Sequence, residues 1–318
     1  TYNMILLIKK WHIMLLLTFS TLIAQDINGK VFFDYTNSDD SAQVDGFALK
    51  RVYLTFSKSI SEELSVSIQT DVDTNSSPQN IYLKNAKVDW KTLNGKVVIG
   101  LQGMNMFKVQ ETNWGKRYLD KTIMDRFKYS SAADMGIGYY QSKDKFHGSI
   151  LVTNGAGYKK SETDSHKKLS LQLIYGNTNL TKSDGFNIGA VFSHEPYDRD
   201  GEVTIPEEPA GEYTKKVFGV FGGYAKDKLR LGAEWNQLKD SGLLGGNYND
   251  SLTSLYLNYS IKAKQTLVAK YDMVSGSADT NYALIAMEFA PTNGLMVSPN
   301  IRSNDGTTTF GINFQFQF

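Results

Sequence analysis

The chain has 318 residues and a formal net charge of +1, with 34 Lys and Arg against 33 Asp and Glu, and it contains no cysteine. Near-neutral charge gives composition no case for a nucleic-acid partner, and a fold stapled by disulfides is excluded. Tyr (18), Phe (17) and Gly (27) are plentiful while Pro (6) is scarce, a balance suited to extensive β-sheet joined by polar loops.

Residues 1–24 read as a signal peptide. Lys9 and Lys10 precede "IMLLLTFSTLI", the apolar run Ile13 to Ile23, and small Ala24 precedes polar Gln25 and Asp26. Basic, apolar, small is the order of a secretory leader. The run is shorter than the ~20 residues of a membrane span, and an uncleaved anchor is the alternative. The sequence opens on Thr1, so Met4 is the expected start. Residues 25–318 then read as one exported domain.

Past Gln25 the chain alternates apolar and polar residues in short segments separated by turn residues. "ELSVSIQTD" sets Leu64, Val66 and Ile68 against Ser65, Ser67 and Gln69. "KKLSLQLIYG" sets Leu169, Leu171, Leu173 and Tyr175 against Lys168, Ser170 and Gln172. "KLRLGAEWN" and "LTSLYLNYSI" repeat the pattern, and "TTTFGINFQFQF" ends it with Phe310, Ile312, Phe314, Phe316 and Phe318 on one parity. A period of two describes strands whose faces meet different solvents. Repeated this often, it is the signature of a transmembrane antiparallel β-barrel with an apolar outside and a wet inside.

Segment starts fall at roughly residues 29, 46, 63, 80, 96, 132, 146, 166, 185, 215, 228, 250, 265, 279, 294 and 307, about sixteen strands. Short connections such as "KTLNGK", "SKDKF", "KAKQ" and "PTNG" alternate with longer ones such as "GYKKSETDS" and "HEPYDRDGEVTIPEEPAGEY", the asymmetry of periplasmic turns and external loops. Trp90, Trp235, Tyr139, Tyr175, Tyr259 and Tyr282 fall where interfacial aromatic girdles would lie. A soluble sandwich would make the second parity hydrophobic. Here it is Ser, Gln, Asn, Gly, Asp and Lys, which predicts a water-filled lumen.

A sixteen-stranded barrel is too wide for its own side chains to fill. The longest stretch without strand pattern, Met104 to Ser131, lies between the fifth and sixth strands. Loops this long are usually functional, and we expect it to constrict the lumen; an external lid is the alternative.

The stretches "GFALKRVYLTFSKSISEELSVSIQTD", "IYLKNAKVDW", "KVVIGLQ" and "ETNWGKRYLDKTIMDRF…SSAADMGIGYY", with the ending "FGINFQFQF", resemble the phosphate-selective porin O and P family. The resemblance implies an all-β, sixteen-stranded outer-membrane channel, homotrimeric, whose long third loop and inward basic residues set selectivity. It also implies that Phe314, Phe316 and Phe318 form the signal read by the outer-membrane assembly machinery. One departure matters. Where the family carries paired arginines in the second strand this chain has Lys50 and Arg51, and it has six arginines in all. Arginine binds phosphate in a bidentate fork and lysine only as a point charge, so phosphate specificity is weakened while the channel role stands.

By parity the wall is nearly balanced: Lys30, Arg51, Lys87, Lys96, Lys168, Arg230, Lys270 and Arg302 against Asp34, Asp71, Asp89, Asp134, Glu234, Asp272 and Glu288. The loop is not, with Lys108, Lys116, Arg117, Lys121, Arg126 and Lys128 against Glu111, Asp120 and Asp125. A surplus of about three positive charges in a narrow passage would favour anions, unless the three acids pair with these bases and brace the loop. The selectivity residues expected are Arg51, Lys116, Arg117, Lys121 and Arg126, then Lys87 and Arg302. Small anionic or neutral solutes would cross by passive diffusion, with outer-membrane lipid around the barrel. A phosphate or oligophosphate channel is the alternative within transport.

An outer-membrane hydrolase is the alternative outside it. A barrel hydrolase needs His beside Ser or several carboxylates, and His194 near Glu195, Asp198 and Asp200 is the one such grouping. "DVDTN" from Asp71 imitates a calcium loop but has Ser76 where glycine is needed and Tyr82 where glutamate is. No enzyme activity, cofactor or metal is expected.

Overall fold

The structure is a computed structural model, and it describes residues 25–40, 45–74, 76–199, 210–243, 248–277 and 279–318. The expected signal peptide, 1–24, lies outside the described residues. The first eight strands are β1 (Gln25–Ser38), β2 (Gly46–Ser59), β3 (Leu64–Asp73), β4 (Asn80–Lys91), β5 (Lys96–Gly103), β6 (Ala133–Lys143), β7 (Phe146–Thr153) and β8 (Lys168–Gly176). Then follow β9 (Gly185–Arg199), β10 (Gly211–Lys226), β11 (Leu229–Asp240), β12 (Tyr248–Lys262), β13 (Gln265–Ser275), β14 (Thr280–Thr292), β15 (Leu295–Asn304) and β16 (Thr307–Gln317). Each strand pairs antiparallel with its sequence neighbours, and β1 pairs with β16, closing the barrel. Closure leaves no edge, so every strand's backbone groups find partners without water, the condition for β-structure in lipid.

The period of two sorts the side chains as expected. In β12, Leu255 and Tyr259 lie exposed outside while Ser254, Tyr256 and Asn258 are buried inside. Phe310, Ile312, Phe316 and Phe318 are likewise on the outer face. At the seam the rings of Phe33 and Phe314 stack at 4.7 Å and 9°, and Phe318 exchanges both backbone hydrogen bonds with Gly29, at 3.0 and 3.1 Å. A side chain at position 29 would collide with the Phe318 ring, which a Cβ would approach to 2.5 Å.

One girdle residue was misplaced. Tyr282 is 9% exposed and points inward, across from Asp272. Its hydroxyl-bearing ring serves the lumen, because its parity is that of Leu284 and Ala286 rather than that of Ile285.

Two irregularities re-aim the wall. Between β1 and β2 the register shifts at Phe32/Phe33: Phe32 faces Arg51 and Phe33 faces Leu49, leaving Lys50 as an extra residue. Between β3 and β4 it shifts at Gln69/Thr70: Gln69 faces Asn85 and Thr70 faces Leu83, leaving Lys84 extra. A bulge places two successive residues opposite one and breaks strict alternation. Here it brings Lys50 and Arg51, and Lys84 and Asn85, to the same inner face.

The rims differ as predicted, except for 177–184 at the short-turn end and the two-residue turn 305–306 at the other. Residues 92–95, 144–145, 227–228, 263–264 and 293–294 make short turns at one end. At that end residues 177–184 are longer, and Leu180 within them is buried.

Candidate permeation site

The segment 104–131 enters the lumen. It carries two short helices, α1 (Lys108–Trp114) and α2 (Ile123–Arg126). Helices this short are unstable alone, so packing must hold them. The buried side chains Met106, Trp114, Ile123 and Met124 do so. Gly115 ends α1 with φ +66, its amide donating to the Glu111 carbonyl at 2.9 Å; this left-handed cap suits glycine.

The segment hydrogen-bonds to strand after strand around the wall. Asn105 donates to Ser149 on β7, and its carbonyl accepts from Gln172 on β8 at 2.6 Å. Asn113 exchanges side-chain hydrogen bonds with Asn187 on β9, and Asn258 on β12 donates to the Trp114 carbonyl. Lys270 on β13, Glu288 on β14, Arg302 on β15 and Asn313 on β16 complete the series. Among the described residues no hydrogen bond joins the segment to β2, β3 or β4.

The lumen-facing parity of the docked half is therefore not uniformly polar, contrary to the sequence expectation. Ile174, Val191, Val217, Phe221, Leu252 and Val274 face inward and form one apolar cluster with Met106, Val109, Ile123 and Met124. Phe32, Tyr256, Val268 and Leu284 form another around Trp114, Tyr118 and Leu119. These residues are buried against the loop rather than facing water. Glycines clear the approach. A Cβ at Gly223 would lie 2.6 Å from the Asn113 amide, and one at Gly232 would lie 2.1 Å from the Tyr256 ring, which packs edge-on against Trp114 at 5.4 Å.

The predicted basic residues come together around this loop, but paired. Lys116 meets Glu288 at 2.7 Å, Arg117 meets Glu111 at 3.3 Å and Asp125 at 3.2 Å, and Lys121 reaches Asp125 at 3.8 Å. Arg126 binds Asp120, approaches Asp272 at 3.7 Å and lies 3.6 Å from the centre of the Tyr282 ring. Lys270 sits between Asp120 and Asp272, 2.8 Å from each, and also donates to the Lys121 carbonyl. Lys87 pairs with Asp89 away from the loop. Arg302 donates to Asn300, Asn313 and the Leu119 carbonyl, so it anchors the loop. The expected free surplus of about three charges is thus corrected. All three loop acids pair with bases, and Glu288 and Asp272 from the wall join them.

What remains open is the inner face of β2–β4. Arg51, Tyr53, Lys84, Asn85 and Lys87 are only partly buried there. Arg51 is held by Asp71 at 2.9 Å, and Lys50 by Asp34 at 3.3 Å. Among the described residues no carboxylate lies within ion-pair distance of Lys84; its ammonium donates to the Tyr53 hydroxyl at 2.9 Å and lies 4.2 Å from that ring's centre. Sequence reasoning missed Lys84 because counting by twos past Lys87 puts it on the outer face. The only signal was its offset of three from Lys87, which one parity cannot accommodate.

The loop's titratable groups feel this wall. Burial pushes the Glu111 carboxyl up, but Lys108, Arg117 and, from β4, Lys84 more than reverse it, holding it below the usual range. Burial drives the Lys121 ammonium down, opposed by Asp125 and reinforced by Arg117 and Arg51. Loop and wall therefore share one field across the passage.

The enzyme-like grouping comes apart. Residues alternate in β9, so His194, beside Phe192, takes the outer parity while Glu195 points inward and binds Lys168 at 2.6 Å. His166 instead meets Asp198 at 3.1 Å, and Asp200 lies outside the described residues. Among the described residues no three His, Cys, Asp or Glu converge as a metal site.

No protein-family model and no curated protein matches this chain. Solved structures do. An anion-selective porin from Comamonas acidovorans aligns with TM-score 0.70 at 11% identity, over 93% of this chain and 99% of that one. OmpF of Salmonella typhi, solved in complex with daunomycin, aligns with TM-score 0.68 at 13% identity, over 92% and 97%. An OmpT loop-deletion mutant, from an outer membrane protein of Vibrio cholerae, aligns with TM-score 0.65 at 16% identity, over 93% and 99%. The chain has the closed sixteen-stranded fold of the outer-membrane porins.

Proposed function

We propose that this chain is an outer-membrane channel for passive diffusion of small hydrophilic solutes, with a modest preference for anions, and not an enzyme. The exported mature chain would sit in outer-membrane lipid as a homotrimer, delivered by the assembly machinery that reads Phe314, Phe316 and Phe318. One observation supports the anion preference above the others. Around the open passage Arg51, Lys84, Lys108, Arg117 and Lys121 share only three carboxylates, those of Asp71, Glu111 and Asp125. A paired charge contributes little field beyond its partner, whereas Lys84 keeps its own. In water a unit charge at 4 Å is worth only ~1 kcal/mol, rising to ~4 where the effective dielectric is about 20, so a few-fold selectivity is expected. Phosphate specificity is the narrower reading that the sequence resemblance adds; the bidentate ligand it needs is supplied only by Arg51 and Arg117, both already engaged with carboxylates.

Purified protein in planar bilayers tests this. Steady ionic current is expected, with a reversal potential of anion-selective sign in a salt gradient that falls toward zero in Lys84→Gln. A non-conducting protein, or a cation-selective one, refutes the proposal.

A further inference from the structure

Lys84 is one of a set. On the same wall, toward the long-loop rim, Tyr82 of β4 and Tyr158 of the 154–167 connection bring their rings to 5.8 Å at 34°. Lys159 lies 4.8 Å from the centre of the Tyr82 ring. Tyr53, beneath Lys84, completes a partly exposed chamber of three tyrosine rings and three cations, the third being Arg51. The carboxylates near it are spent: Glu111, across the passage, is held by Lys108 and Arg117. Asp71 accepts from Arg51 at 2.9 Å, from the Tyr82 hydroxyl at 3.0 Å and from the backbone amides of Val52 and Val72, and it is 1% exposed. It therefore fixes Arg51 and Tyr82 in place without presenting a free negative charge to an arriving anion.

Two of the three cations lie over aromatic faces, and among the described residues neither pairs with an acid. A hydrated inorganic anion gains nothing from those rings. A planar aromatic acid gains twice, because its ring can stack on tyrosine while its carboxylate meets Lys84 or Lys159. We propose that this chamber is a subsite for small aromatic carboxylates on the way through the channel. The assignment rests on the channel reading above and names its substrate class.

The test compares benzoate with cyclohexanecarboxylate, equal in charge and close in size, in planar bilayers. Chloride current is recorded first on the same membranes. Benzoate is expected to permeate severalfold better than its saturated counterpart, and to block chloride current at lower concentration. Tyr158→Leu, in a connection rather than a strand, should abolish that discrimination while leaving chloride conductance unchanged. Tyr82→Phe, which keeps the ring, should preserve it. Chloride current without discrimination between the two acids overturns the subsite and leaves the channel standing, as does discrimination that survives Tyr158→Leu. Absence of chloride current removes the channel reading itself.

Discussion

Replacing Lys270 by methionine tests the anchoring of the loop most directly. The ammonium is enclosed, with a side-chain exposure of 1%, and it touches Asp120 and Asp272 at 2.8 Å each and the Lys121 carbonyl at 2.6 Å. With Arg126 as the second cation, the group of four charges is balanced. Methionine fills most of the volume but leaves two carboxylates facing one guanidinium. Ser254 donates to Asp272 at 2.6 Å and cannot replace a charge. Breaking a buried pair in this way costs about 3–5 kcal/mol. The cost falls on loop docking, so the Lys270→Met channel should show larger or flickering unitary conductance and earlier denaturant unfolding by tryptophan fluorescence, since Trp114 sits in the docked segment. Adding Asp272→Asn restores neutrality and should recover more than half of the loss. Wild-type conductance and stability in Lys270→Met, or a double variant worse than the single one, would refute the claim that this charge group holds the loop.

Other outcomes follow from the same contacts. Trp114→Ala removes a fully buried ring and an indole hydrogen bond to the Asp120 carbonyl at 2.9 Å, and should cost about 3–5 kcal/mol in denaturant unfolding. Gly232→Ala forces the Tyr256 ring off Trp114; about 1–3 kcal/mol of destabilisation is expected, with altered conductance. Acid should free the loop. Burial pushes the Asp120 carboxyl up, yet Lys270, Arg126 and Arg302 outweigh it and hold it below the usual range. Its contribution is complete above the unfolded value of about 3.9 and is lost as pH falls through the lower folded value, so conductance recorded at descending pH should stay constant until below about 4 and then change. At the other extreme the depressed Lys121 should lose its proton before an ordinary lysine, so its share of the anion preference should decline as pH approaches about 10, and the decline should be smaller in Lys121→Gln.

The barrel was legible because two solvents write opposite rules on alternate residues, and that rule needs no tertiary knowledge. The observed starts at Gly46, Asn80, Lys96, Phe146, Gly185, Gln265 and Thr307 coincide with those expected, and the largest displacements, at β1 and β10, extend strands backward into loop-like sequence. The length of 104–131 marked it as a segment with a role of its own, while its packing on the inner wall rests on contacts with distant strands. What alternation could not supply was a second kind of inside. Val191, Phe221 and Leu252 are apolar on the inner parity because a loop from elsewhere in the chain covers them, and no local pattern announces a distant partner. Tyr282 looked like a girdle residue for the same reason. The charge surplus came out too large because a count by segment omits Glu288 and Asp272, more than 140 residues away from their partners in sequence. Lys84 was lost to a register shift that period-two counting cannot see.

Those two shifts carry a consequence for how such a wall changes over generations. Deleting Lys50 or Lys84 would return its hairpin to regular pleating and hand one ammonium less to the water column, with the greasy exterior undisturbed on either side. Inserting a single residue elsewhere would do the opposite. A tube of this kind can therefore add or shed fixed charge by one-codon insertions and deletions, a route closed to proteins whose interiors are solid.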